Sequence, residues 1–337
     1  HYYRATSHDT ASNYDAGTDE FKSFLKSFWC YLHNFNNFLD FLTKYGTIPP
    51  FFSEIYQPMR FKVRSSLNIE ATLKGSPNDP LVILLHGGGQ TRHAWKGTTE
   101  KLASSGFYAV ALDLRGHGDS DWSEEGDYAI ESYRSDLISI IEEIGKPASL
   151  IGASLGGMVS LSTAGDPEFQ KHCSALVMVD IGIYPNEEGS NEILEFMSSG
   201  FKGFVSLEEA SDAIATYLPH REKPKDISGL KKNLRLKEDG KYYWHWDPKF
   251  IQSRTSNRTE HRSKHKTYAH NVCIPTLLIR GALSNVVTEE EVKDFMETIK
   301  HAEFVEIDKA AHMIAGDRND IFANAAINFL QKTILNK

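Results

Sequence analysis

The chain has 337 residues, 40% of them hydrophobic and 24% charged, with a formal net charge of -8. That length suits one large α/β domain with an insertion, or two ordinary domains. The negative balance excludes nucleic acid as a main partner, because phosphate binding needs a basic face.

Residues 1–18 are polar and read as a loose tail. In the next segment, 20–46, Phe21, Phe24, Leu25, Phe28, Leu32, Phe35, Leu39 and Leu42 recur at helical spacing and form one broad apolar stripe. Such a helix packs on the body or on a second subunit, or lies on a membrane surface. The pair Pro49-Pro50 ends it. Residues 1–59 are thus expected to be a tail and an amphipathic helical extension.

From Arg60 short apolar runs alternate with helical stretches. RFKVRSSLNIEATLKG reads as a hairpin, and LVILLH, FYAVALD, ASLIGA, ALVMVD, TLLIRG and AEFVEID read as buried strands. Helical segments are expected near 91–104, 128–144, 155–165, 289–300 and 317–335. Strands buried on both faces and separated by helices predict a mostly parallel sheet with helices on both faces. A long interval between Asp180 and Pro275 holds helical and aromatic patches but no convincing core strand. It is expected to be a helical lid inserted after strand 6, over 182–272, between core segments 60–181 and 273–337. The basic run HRSKHK at 261–266 reads as a solvated face. Cys30, Cys173 and Cys273 are too scattered for a disulfide framework or a zinc site. They read as buried free thiols in a reducing compartment, which gives a cytoplasmic expectation. No run of about 18 apolar residues marks a membrane-crossing helix. Nor does a GxGxxG or GxxxxGK[ST] phosphate loop occur, so no nucleotide cofactor and no metal is expected.

Four stretches carry chemistry. GASLGG puts Ser154 two residues from Gly152 and from Gly156, between the strand ASLIGA and a helix. A nucleophile on so strained a turn leaves no room for side chains two residues either side. LLHGGGQ follows the first long strand, and its glycines free backbone N–H groups to face a developing oxyanion. AAHMIAGDRND places His312 after the last strand. In ALDLRGHGDS, Asp113, Arg115 and His117 are read as structural, shaping the pocket floor.

In this order the four stretches resemble the α/β-hydrolase superfamily, in its lidded serine esterase and haloperoxidase-like branch, over about residues 60–335. The resemblance implies an α/β-hydrolase fold, with Ser154 as nucleophile, His312 as general base and the N–H groups of Gly88 and Leu155 as oxyanion hole. His86, Gly87, Gly89, Trp244 and Trp246 are the expected lining of the substrate site. A serine at the nucleophile position implies acyl transfer on a small or medium carboxylic ester, without cofactor or metal. Perhydrolysis by the same machinery and a ligand-binding protein with little turnover are the competing readings. The last arises because the family's acid commonly follows Gly-x-x-Ser, where this chain has Asn285. Either the acid has moved to Asp180, at the end of ALVMVD, or Asn285 completes a weakened triad.

Overall fold

A strand such as Leu81–Leu85, with no polar residue in it, needs cover on both faces. In the computed structural model, which describes residues 57–217, 223, 226–253, 258–308, 310 and 319–336, it has that cover. The expected helix over 20–46 and the residue His312 lie outside the described residues.

The main sheet has eight strands: β1 Gln57–Lys62, β2 Asn68–Lys74, β3 Leu81–Leu85, β4 Tyr108–Leu112, β5 Ala148–Ala153, β6 Cys173–Val179, β9 Thr276–Gly281 and β10 Glu303–Ile307. Their spatial order is β1-β2-β4-β3-β5-β6-β9-β10. β2 is antiparallel to both β1 and β4, and the remaining pairs are parallel. Alternation divides the core. Leu81, Ile83 and Leu85 pack with Leu137, Ile140 and Leu150 on one face; Val82 and Leu84 pack with Trp95, Leu102 and Phe322 on the other. The helices covering these faces are α1 Lys96–Ser104, α2 Ile130–Ile144, α3 Leu155–Ala164, α8 Glu289–Thr298 and α9 Asn319–Leu330. AEFVEID differs from expectation: as the edge strand β10 it leaves Glu303, Phe304 and Glu306 exposed.

Local chemistry sets the helix ends. Gly145, in the left-handed region at φ 81, closes α2. Thr288 and Glu291 form a capping box at the start of α8. The Asn186 side chain accepts from the N–H groups of Glu188 and Gly189 at the start of α4, Glu187–Ser199.

The insertion is not purely helical. Besides α4 and α5 (Leu207–Tyr217) it contains a small antiparallel sheet, β7 Leu234–Leu236 with β8 Tyr242–Trp244, and a short helix, α6 Pro248–Ser253. Residues 258–271, expected within the lid, form α7, which packs on the body: a Cβ on Gly165 of the α3 C-cap would stand 2.1 Å from the Tyr268 carbonyl oxygen. The basic run lies on α7, where Lys264 pairs with Glu131, Lys266 with Asp294, and Arg262 sits 5.0 Å over the Tyr184 ring. No helix among the described residues is long and apolar enough to cross a membrane.

The two described thiols part company. Cys173 is buried, as expected, and burial pushes its thiol up to about 12. Cys273 is exposed, because its loop ends α7 at the surface, and its Sγ donates to the Gln170 side chain at 3.2 Å. Iodoacetamide should therefore modify Cys273 in the native protein and reach Cys173 only after unfolding, with peptide mass spectrometry as the readout.

Candidate active site

Ser154 stands where β5 turns into α3, at φ 47 and ψ -111, a backbone conformation that a side chain rarely takes. Its flanking glycines permit it. A Cβ on Gly152 would stand 2.4 Å from the Gly156 carbonyl oxygen, and one on Gly156 would stand 2.2 Å from that of Leu85. Gly156→Ala should cost about 1–3 kcal/mol or more, since backbone rather than a flexible side chain stands in the way; urea unfolding midpoints measure it. The Ser154 hydroxyl does not cap α3. Among the described residues, the N–H groups of Leu155, the first residue of that helix, and of Gly88 donate to no hydrogen bond.

The glycine turn lies against Ser154: a Cβ on Gly87 would stand 3.3 Å from the Ser154 Cβ. Gly87 is fully engaged. Its N–H donates to Gln90 Oε1 at 2.9 Å, and its carbonyl faces His86 Nδ1 at 2.7 Å and accepts from Gln90 N–H at 3.1 Å. His86 itself is fully buried, and its Nε2 accepts the Leu114 N–H at 3.0 Å. Since Nε2 is the acceptor, Nδ1 carries the hydrogen and donates to Gly87. Burial first, then the Arg92 charge, lowers His86 to about 4, so the ring is neutral at pH 7. Expected to bind substrate, His86 instead has both nitrogens committed to backbone. By holding the Gly87 carbonyl it turns the Gly88 N–H of the same planar peptide the opposite way.

Asp180 follows β6 directly, at φ 49, and is buried. Its Oδ1 accepts the Gly281 N–H at 2.9 Å and its Oδ2 the Ser284 hydroxyl at 2.6 Å. The Ser284 oxygen also accepts from the N–H groups of Val286 and Val287, each at 3.2 Å, so the turn after β9 is built around this carboxylate. Asn285 points the other way: it is exposed and its Nδ2 donates to Glu192 on α4 at 2.5 Å.

Side chains of the insertion cover the glycine turn. A Cβ on Gly89, at φ 74, would meet Met197 Cε at 3.2 Å and Trp246 Cζ3 at 3.3 Å; one on Gly88 would meet Phe250 Cζ at 3.4 Å. Trp246 thus reaches the turn. Trp244, expected in the substrate lining, stacks on Trp246 at 4.8 Å and packs edge-on to Phe204 at 5.0 Å within the hydrophobic core. The ALDLRGHGDS loop is a buried ionic framework. Arg92 pairs with Asp113, and Arg115 takes both Asp136 oxygens at 2.6 Å. His245 escaped sequence reasoning. It is buried among core loops, with Nδ1 accepting the Gly118 N–H at 2.7 Å and Nε2 lying 3.3 Å from the Gly89 carbonyl oxygen.

A Gly-x-Ser-x-Gly corner between a strand and a helix of an eight-stranded, mostly parallel sheet defines an α/β-hydrolase fold. Residues 80–318 match the family described as alpha/beta hydrolase fold, and the chain belongs to that family. It is similar to the esterase Rv0045c of Mycobacterium tuberculosis, 26% identical over 256 residues, covering 74% of this chain and 82% of that protein. A probable protein phosphatase methylesterase 1 of Caenorhabditis elegans is 31% identical over 143 residues, 41% of this chain and 39% of that one. Among solved structures, E-2-(acetamidomethylene)succinate hydrolase superposes with a TM-score of 0.73 at 20% identity, covering 82% of this chain and all of that one. The Rv0045c esterase superposes at 0.64 with 24% identity, covering 88% of this chain and 95% of that one.

Proposed function

We propose that the protein is a serine hydrolase of small or medium carboxylic esters, working through an acyl-enzyme on Ser154. The observation that carries this reading is the strained Ser154 corner facing the Gly88 turn. Ser154 Oγ attacks the ester carbonyl while His312 takes its proton; the oxyanion is held by the N–H groups of Gly88 and Leu155. The tetrahedral intermediate collapses, the C–O bond to the alcohol breaks, and His312 returns the proton to the leaving oxygen. Water then repeats the attack on the acyl-enzyme, releasing acid and free serine.

Asp180 is the acid in this scheme, supported by its burial and by the turn built around its carboxylate. The alternative of a ligand-binding protein drew on Asn285 as a weakened acid, and the bond from Asn285 to the lid removes that support. Roofing by Met197, Trp246 and Phe250 favours an apolar acyl or alcohol group.

The test is labelling by a fluorophosphonate, with Ser154→Ala as blank, followed by a panel of p-nitrophenyl esters of increasing chain length and a peptide methyl ester. A folded protein that stays unlabelled at Ser154 and inert on the acetate and butyrate esters would overturn the reading. Preference for the peptide methyl ester would place it with the methylesterase relatives in substrate; preference for a short acyl chain supports the small-ester assignment.

A further inference from the structure

Two imidazoles bridge the same pair of loops. From the core, His86 links the Leu114 N–H to the Gly87 carbonyl. From the lid, His245 links the Gly118 N–H to the Gly89 carbonyl, two residues along the same turn. The bonding fixes the tautomer of His245 as it did that of His86: Nδ1 accepts an N–H, so Nε2 carries the hydrogen and donates to Gly89. The ring of His117 lies between them, its centroid 5.2 Å from that of His86 and 6.0 Å from that of His245.

We propose that His245 is a lid-borne positioning residue for the oxyanion hole, holding the Gly88-Gly89 turn in its working shape only while the lid is seated. This rests on the reading of Gly88 as an oxyanion donor. The first peptide of the turn is fixed from the core through the Gly87 carbonyl. The peptide after Gly89 is held at its N–H by the Gly87 carbonyl and at its carbonyl by His245 from the lid, and Gly89, at φ 74, has no Cβ to limit its rotation. Without the His245 bond, that peptide is held only by the Gln90 N–H on the Gly87 carbonyl, and the Gly88-Gly89 turn loses its support from one side. The lid is attached to the same core loop elsewhere: Arg235 donates to the Gly118 carbonyl at 2.6 Å and to Asp119 at 2.8 Å, neither of them on the glycine turn. The attachment of the lid and the support of the turn are therefore separable by mutation.

The experiment compares His245→Phe, His245→Gln and Arg235→Gln on p-nitrophenyl butyrate, with binding of a trifluoromethyl ketone as a mimic of the tetrahedral intermediate. Loss of a whole oxyanion donor costs about 10²–10³ in kcat, so a misplaced donor in the Phe variant should cost about 10–10² with KM within about twofold. Affinity for the ketone should fall in the same proportion as kcat/KM. The Gln variant, whose amide can still donate to Gly89, should recover part of the loss, and Arg235→Gln should keep kcat within about twofold. Unchanged kcat in a folded His245 variant overturns the proposal. So does an equal loss in Arg235→Gln, which would mark a general effect of lid attachment. Should the Phe variant not fold, the Gln variant carries the comparison: a loss of kcat with KM and melting temperature held supports the proposal, and no loss overturns it. If wild type itself is unlabelled by fluorophosphonate, the failure lies in the serine hydrolase reading and not in the role of His245.

Discussion

Asp180→Asn should lower turnover on p-nitrophenyl butyrate by about 10⁴, while Asn285→Ala leaves it within about threefold. A carboxylate has acceptor sites enough for the Gly281 N–H, the Ser284 hydroxyl and an imidazole N–H together. An amide offers one oxygen, and the Gly281 N–H, fixed in the backbone, claims it. The NH2 group must then face either Ser284 or the imidazole, and in the second case it stabilises the wrong tautomer and supplies no charge to an imidazolium. Asn285→Asp is the sharper companion. Its new carboxylate would face the carboxylate of Glu192 rather than the centre of the site, so turnover should not rise. A strong gain in Asn285→Asp beside an active Asp180→Asn would return the acid to position 285.

The strained Ser154 corner was legible because such a turn writes itself in glycine: the contacts of Gly152 and Gly156 with backbone allow nothing larger. The parallel sheet was legible for a similar reason, since apolar runs such as LVILL have no face to give to solvent. The acid was not. Asp180 and Asn285 both follow strands that run side by side, and which of them turns inwards depends on Ser284, whose hydroxyl gathers the turn around Asp180. Nothing in GALSNVV announces that the serine rather than the asparagine holds the site together. The small lid sheet escaped because its strands are only three residues long, too short for alternation to register. The sequence does carry a signal for His245. In KYYWHWDPKF, period-two alternation puts Trp244 and Trp246 on one side, where they stack, and sends the histidine to the other, towards the core loops.

The largest loss of stability is expected far from the nucleophile, at the buried pair of Arg115 and Asp136. Arg115→Met should destabilise the fold by about 3–5 kcal/mol at pH 8, because it leaves a buried carboxylate without its cation. The guanidinium also donates to the Asp127 carbonyl at 3.2 Å and the Ser65 hydroxyl at 3.1 Å, so three segments lose a common partner. Burial already holds the Asp136 carboxyl above its ordinary value, with Arg115 the main opposing influence. Removing Arg115 takes that opposition away and raises the carboxyl further. The sign follows: a group with a raised folded pKa favours the fold when protonated and weakens it as pH rises through that value. The destabilisation should therefore be greatest at pH 8 and shrink as pH falls towards 5, in urea unfolding series of wild type and variant run side by side. Arg115→Met combined with Asp136→Leu removes charge and cation together and should recover much of the loss at pH 8, with little dependence on pH. A single variant equally unstable at both pH values would mean that lost packing around the long arginine stem, rather than an uncompensated charge, sets the cost.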